Sequence, residues 1–445
     1  MTEQEIKKIL ETPEELAEIY KALSHPVRLK VLGLLLEKEH NLGELVKTTG
    51  LSKNALTNQL TTLMNTGLIT RISHGKYGIT EDAQTMLTST VEEYLSSDRY
   101  RARRRQRDSL MYAWSWRELK EKTISNPAKM QPSWFSYQGA VLGVLKRIGL
   151  NVDLSDVIAV SGYGWITNAM KRHLCPSAPS AYHQDNWREI YAATENLGYK
   201  MDVITSGLFE WDTQQKPTPE SILNAKKQYD AVVEEIDADH PVVMWGIPIP
   251  EYGIVNGYKG EEYIVSTFRS LIGQPDTPIH YTGLMAPGGL MIMRFIEPKK
   301  VDPKQVAIQT LKRGYKLGTG DVPQIDEYVL GPDAYDVLEK NLTMEPFDEN
   351  SHHGTAYTMA CLMEAKLGVS EYLKKVNPLL DADLLSTAKK YHELNQILQR
   401  CHEAFPLGPG EMQKKKCDKV ADWLGEAKEI EVEALTGVKE IIDAL

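Results

Sequence analysis

Cysteine is scarce in this 445-residue chain. The four residues, Cys175, Cys361, Cys401 and Cys417, stand too far apart for a paired-thiol metal motif or a disulfide framework. That usage fits a reducing compartment, and the chain is expected in the cytoplasm. No apolar run approaches the ~20 residues of a membrane-spanning helix, and no signal-peptide pattern precedes the first helical segment, so no membrane partner is expected. An excess of positive charge is also missing, since the net charge is −10. Its distribution is uneven. Residues 1–107 hold 16 Lys and Arg against 14 Asp and Glu, whereas the remainder holds 35 against 47. The length predicts two or three domains, and 42% hydrophobic residues suffice for packed cores.

The most informative stretch runs from Ser24 to Thr80. Two short helical patterns are joined by Thr49-Gly50-Leu51-Ser52, where Gly50 supplies a tight turn and Ser52 is placed to cap the second helix. Leu56, Leu60 and Leu63 recur at three- and four-residue spacing and face a core. Lys53, Asn54, Thr57, Asn58 and Thr61 are left on the open side, with Gln59 beside them. Two short strands around Gly75 follow, carrying Arg71, His74 and Lys76. Asn and Gln side chains can read an adenine edge, while Lys and Arg hold phosphates. Ser52, Lys53, Asn54, Thr57, Asn58, Gln59, Thr61, Arg71, His74 and Lys76 are therefore the candidate contacts to double-stranded DNA.

This stretch resembles the ArsR-type winged-helix repressors. The resemblance is carried by Ala22-Leu-Ser-His-Pro-Val-Arg-Leu29, the Gly50-Leu-Ser-Lys…Leu-Thr-Asn-Gln-Leu60 segment and Asn65-Thr-Gly-Leu-Ile69, over roughly residues 10–97. Metal-sensing members carry a paired-Cys motif before the recognition helix. Here Asn41-Leu-Gly-Glu-Leu45 stands in that place, so metal sensing by thiolate is not expected. A winged helix used for protein contacts is the alternative to DNA binding. The resemblance further implies a homodimer through a terminal helix over 80–107, with Met86, Leu87, Val91 and Tyr94 on one side. Six arginines between 99 and 107 admit two readings, phosphate contact or a solvated connection.

From about Gln131 the texture changes. Ser133-Trp-Phe-Ser-Tyr-Gln-Gly-Ala140 leads into an apolar helix ended by Gly149, and three strand patterns follow within 240–266. One early helix followed by later antiparallel strands describes an α+β fold. That order resembles the papain-like fold of bacteriocin-processing peptidases, and more closely the N-terminal domain of the butirosin-biosynthesis protein H family. The matching pieces are Gly139-Ala-Val-Leu-Gly-Val-Leu-Lys-Arg-Ile-Gly149, Pro241-Val-Val-Met-Trp-Gly246 and Gly253-Ile-Val-Asn-Gly-Tyr258.

The resemblance places Gln131 at the peptidases' Gln. Their nucleophilic Cys falls on Ser136 or Tyr137, their general-base His on Glu251 with Tyr252 beside it, and their third member near Ser266-Thr267. Thiol and imidazole are both gone, so no catalytic residue is assigned. A Ser136–Glu251 pair is the arrangement that would rescue hydrolysis.

Aromatic residues crowd the segments around the implied cleft. Gln131, Trp134, Ser136, Tyr137, Trp165, Glu251 and Tyr252 are the candidate ligand contacts, whereas Trp245, inside a strand, is expected in the core. Ser161-Gly-Tyr-Gly-Trp165 lacks the Lys-Ser/Thr ending of a phosphate loop. Adjacent His352 and His353 diverge by about 100° on a helix and make no ligand pair, and no metal or cofactor is expected.

From Glu345 onward the pattern is helical, with the last segment read as a solvated helix pair. The expected organisation is α+β and multidomain: a winged helix-turn-helix at 1–107, a linker at 108–130, a papain-like effector domain at 131–345 and a helical cap at 346–445. The function this implies is a one-component transcriptional regulator sensing a small organic effector. The alternative is an acyltransferase or amidase-like enzyme with an appended DNA-binding domain.

Overall fold

The computed structural model describes residues 13–73, 75–97, 120–212, 216–344, 346–347 and 350–445. His74 and the arginine run lie outside them. The chain divides into two compact units, 1–108 and 109–445.

The first unit opens with α1 (Pro13–Leu23) and α2 (Pro26–Glu37). The short β1 (His40–Asn41) precedes α3 (Leu42–Thr49) and α4 (Lys53–Asn65). The antiparallel hairpin β2 (Ile69–Ser73) and β3 (Lys76–Ile79) leads to α5 (Glu81–Ser96). Gly50 ends α3 in the left-handed region at φ 72°, and Ser52 caps α4 by accepting from Ala55 N at 3.3 Å. Val31, Leu32, Leu45, Leu56, Leu60 and Leu63 are wholly buried and make the core of this unit.

In the second unit α6 (Ser136–Ile148) packs on one face of an antiparallel sheet. That sheet begins with β4 (Glu121–Thr123) and takes in β6 (Tyr199–Gly207), β7 (Val242–Trp245), β8 (Tyr252–Lys259), β9 (Glu262–Ser266), β10 (Ile279–His280) and β11 (Leu290–Pro298). Strand order is β10-β9-β8-β7-β11-β6, with β4 paired to the far half of β8. Between these lie α7 (Leu154–Val160), β5 (Asn168–Met170), α8 (Gln184–Thr194), α9 (Pro219–Asp237) and α10 (Phe268–Leu271). Alternation along β7 turns Val243 to the α6 side and Val242 and Met244 to the α9 side, where they meet Tyr229 and Val232.

Residues 121–130, expected in a linker, are built into this sheet. Asn256 on β8 accepts from Ala128 N at 2.8 Å and donates to Ala128 O at 2.9 Å. The segment crosses so close to α6 that a Cβ at Gly143 would lie 2.2 Å from Lys129 O.

The chain continues through α11 (Pro303–Gly318), β12 (Tyr328–Leu330), which pairs with β5, and α12 (Asp333–Thr343). Three long helices close it: α13 (Ser351–Val376), α14 (Leu385–Ala404) and α15 (Lys414–Ala444). They share one hydrophobic core with α6 and α7. The last segment is a single helix rather than the expected pair. Cys417, Val420, Leu424, Ala427, Glu431, Ala434, Val438 and Ile441 form one buried stripe at three- and four-residue spacing, which holds it unbroken. Among the described residues no helix is long and apolar enough to cross a membrane.

Candidate functional sites

Helix α4 presents a polar face. Ser52, Lys53, Asn54, Thr57, Asn58 and Thr61 are exposed, opposite the buried Leu56, Leu60 and Leu63. The Thr57 and Thr61 hydroxyls donate back to Lys53 O at 2.8 Å and Thr57 O at 2.9 Å. Their own polarity is thereby satisfied within the helix, while the Asn amides and the Lys53 ammonium remain for a partner. Gln59 departs from expectation. It is half-buried and accepts from Arg28 on α2 at 3.2 Å, so it ties two helices together rather than joining the open face. Arg71 and Lys76 are exposed on the hairpin, where Lys76 pairs with Glu39 at 2.5 Å. At Asn41 the side chain accepts from Glu44 N and the Glu44 carboxylate accepts from Asn41 N, both at 2.9 Å, which caps α3.

Residues 25–71 match the family described as bacterial regulatory protein, arsR family. The first unit carries an arsR-family helix-turn-helix domain. Over 54 residues the chain is 39% identical to an uncharacterised HTH-type transcriptional regulator of Mycobacterium tuberculosis, covering 12% of this chain and 47% of that protein. Over 69 residues it is 36% identical to the biofilm growth-associated repressor of Xylella fastidiosa, covering 16% and 58%. The chain thus spans about half the length of the curated relatives it matches. Helix α5, beyond the matched residues, joins the core of this unit. Ala83 and Leu87 close its core, with Met86 packed against them, whereas Val91, Tyr94 and Leu95 remain exposed.

The second unit has a small enclosed cavity where α6, β8 and α13 meet. Ser136 is the first residue of α6 and Glu251 immediately precedes β8. The structure brings these residues, 115 positions apart, into a hydrogen bond between Ser136 Oγ and Glu251 Oε2. Tyr252 N donates to Ser136 Oγ at 2.9 Å, and Tyr357 OH donates to Glu251 Oε1 at 3.1 Å. Phe135, Tyr137, Tyr163, Trp245, Tyr252 and Tyr357 supply the ring walls, with Pro179 and Ser180 at one side. The enclosed volume of about 10 Å³ has room for one water.

Four of the expected ligand residues therefore converge: Ser136, Tyr137, Glu251 and Tyr252. Three do not. Trp165 is wholly buried, donates to Ala159 O at 3.1 Å and packs so closely under α11 that a Cβ at Gly314 would lie 2.3 Å from its ring. Gln131 turns away, donating to Lys129 O at 3.0 Å and accepting from Lys146 at 2.9 Å. Trp134 packs edge-on against His402, its ring centroid 5.7 Å away. Conversely Trp245, expected in the core, lines the cavity and lies 4.9 Å from the Tyr252 ring. Tyr357 was not legible in the sequence because it comes from α13, over 200 residues from α6. Of the two residues that the resemblance put at a third triad position, Thr267 donates to Asp276 at 2.5 Å and Ser266 accepts from Met130 N at 3.1 Å, so neither is turned onto Glu251.

Two carboxyl groups sit in this low-dielectric region. Burial raises Glu251 above its ordinary range, with hydrogen bonds from Ser136 and Tyr357 pulling it back. Burial likewise pushes Glu364 up to about 7. Its carboxyl accepts from Ser133 Oγ at 2.6 Å and Trp134 N at 2.9 Å, fixing the turn that starts α6. Because the folded value exceeds the unfolded one, neutral Glu364 stabilises the fold fully below about pH 4.5. That contribution, of order 3 kcal/mol, is lost as pH rises through about 7. Urea unfolding at pH 5 and pH 8 should show the wild type losing more stability than Glu364→Gln. Equal losses would contradict the assignment.

Proposed function

We propose that this protein is a transcriptional regulator whose arsR-family domain binds operator DNA and whose second unit senses a small organic effector. The observation that carries the first half is the exposed Lys53, Asn54, Thr57, Asn58 and Thr61 face on α4, a helix braced by a leucine core and preceded by a Gly50 turn. Such a face seats in a major groove, with Arg71 and Lys76 of the hairpin beside the backbone. Selection from a random duplex library followed by fluorescence anisotropy tests it. Lys53→Ala should weaken binding to all sequences alike and reduce the slope of log K against log salt by about 1. An unchanged slope would place Lys53 away from the phosphates.

Homodimerisation supports two such helices on a palindrome, and the exposed Val91, Tyr94 and Leu95 stripe on α5 is the proposed pairing face. Cytoplasmic residence is part of the same proposal, following from the partner.

For the second unit we infer a papain-like domain that has lost its triad. The support is positional. A residue opening a helix, Ser136, meets a residue at the start of a strand, Glu251, against an antiparallel sheet, where a Cys and His would otherwise face each other. Effector binding shifts DNA affinity only by its preference for one state of the dimer.

A second reading, an acyltransferase or amidase, draws on the same Ser136–Glu251 bond. Against it, Ser136 Oγ already accepts from Tyr252 N and Gln131 is turned away. Turnover of acyl esters or amides that disappears in Ser136→Ala would favour that reading.

A further inference from the structure

We propose that the cavity beside Glu251 receives the ammonium head of a primary amine, and that the effector is therefore cationic. This deepens, and rests on, the reading of the second unit as the effector-binding part.

The lining is one-sided in its electrostatics. Six aromatic rings surround it. One acid, Glu251, stands at the wall, and the lining contains no Lys, Arg or His. The other groups facing Glu251 are neutral. Burial holds Tyr252 on β8, and Tyr357 and Cys361 on α13, protonated throughout the physiological range. His353, also on α13, stacks on the Tyr357 ring with centroids 6.2 Å apart. A second carboxyl, Glu364, accepts from Trp134 N nearby.

Each class of ligand fares differently there. An anion would meet an acid with no basic group in the lining to pair with it. A neutral group would gain contact area alone. A cation gains from the rings and from Glu251 together, in a site shielded from water. Size narrows the choice further. Room for one water matches an –NH3⁺ group, while a trimethylammonium head would have to displace the walls.

Binding also has a proton balance. Burial raises Glu251, and an ammonium ion beside it favours the carboxylate, so binding draws its titration back down. Affinity should therefore rise with pH through the Glu251 titration, while the amine itself stays protonated.

The test uses the full-length protein with three probes of similar shape: propylammonium chloride, propan-1-ol and sodium propionate. Calorimetry in two buffers of different ionisation enthalpy measures affinity and counts protons, for the wild type and for each variant. Propylammonium is expected to bind about tenfold or more tighter than the other two. Glu251→Gln should abolish that preference and leave propan-1-ol unchanged. If Glu251→Gln fails to fold, Trp245→Leu at the partly exposed edge decides instead, weakening propylammonium several-fold but not propan-1-ol. Equal binding of propylammonium and propan-1-ol, or a preference that survives Glu251→Gln, would overturn the amine assignment and leave the effector pocket standing. No binding by any of the three would overturn the effector pocket, and the amine assignment with it.

Discussion

Glu431→Gln should cost the second unit about 3–5 kcal/mol, enough to leave it largely unfolded at moderate urea. Glu431 on α15 and Lys366 on α13 form an ion pair at 2.5 Å, and both side chains are completely buried. Glu431 Oε2 also accepts from Tyr335 OH at 2.6 Å and Thr167 Oγ1 at 2.8 Å, while Lys366 Nζ donates to Trp165 O at 3.3 Å. The network thus joins α12, α13, α15 and the segment before β5. Burial alone lowers the Lys366 pKa, and Glu431 is what opposes that shift. Removing the carboxylate charge leaves an ammonium group in an apolar core with a single carbonyl for company. The double variant Lys366→Met/Glu431→Gln keeps an acceptor for the two hydroxyls and removes the stranded charge, so it should recover most of the loss. Circular dichroism during urea titration measures both. A double variant as unstable as the single one would show that packing, not charge, holds this junction.

The second large effect is on DNA. Asn54→Ala/Asn58→Ala should lower affinity for the selected operator by about 100-fold, since each bidentate base contact contributes roughly 1–3 kcal/mol of discrimination. Binding to unrelated duplex should change little, because Lys53, Arg71 and Lys76 are untouched. Both positions are exposed on α4 and neither side chain supports the core, so the melting profile should remain that of the wild type. Anisotropy titrations against operator and scrambled duplex at one salt concentration give the answer. An unaltered ratio between the two would remove α4 as the reading element.

The two units differ in how much of their structure is legible in the sequence. In the arsR-family domain, contacts are local. The Leu56, Leu60 and Leu63 spacing, the Ser52 cap and the Gly50 turn each act within a few residues, and each is where periodicity and capping chemistry put it. Gln59 was the exception, because its direction depends on Arg28 across the helix pair. In the second unit, fates hinged on distant neighbours. Trp165 and Trp245 both stand beside glycines, yet α11 covers the first and leaves the second at the cavity wall. Gln131 was expected to face the cleft and is held outward by Lys146. The closing helix was read as two because its charges are dense, whereas the buried stripe through Glu431 keeps it whole.

What the amino-acid order determined by itself was whatever depends on near neighbours: helix faces, caps and turns. What only the tertiary structure decided was convergence. Tyr357 reaches Glu251 across 106 residues, Lys366 finds Glu431 across 65, and β4 joins β8 across more than 130. Side-chain direction and burial at those points are set by packing between elements, and no periodicity within one segment encodes which other segment will lie against it.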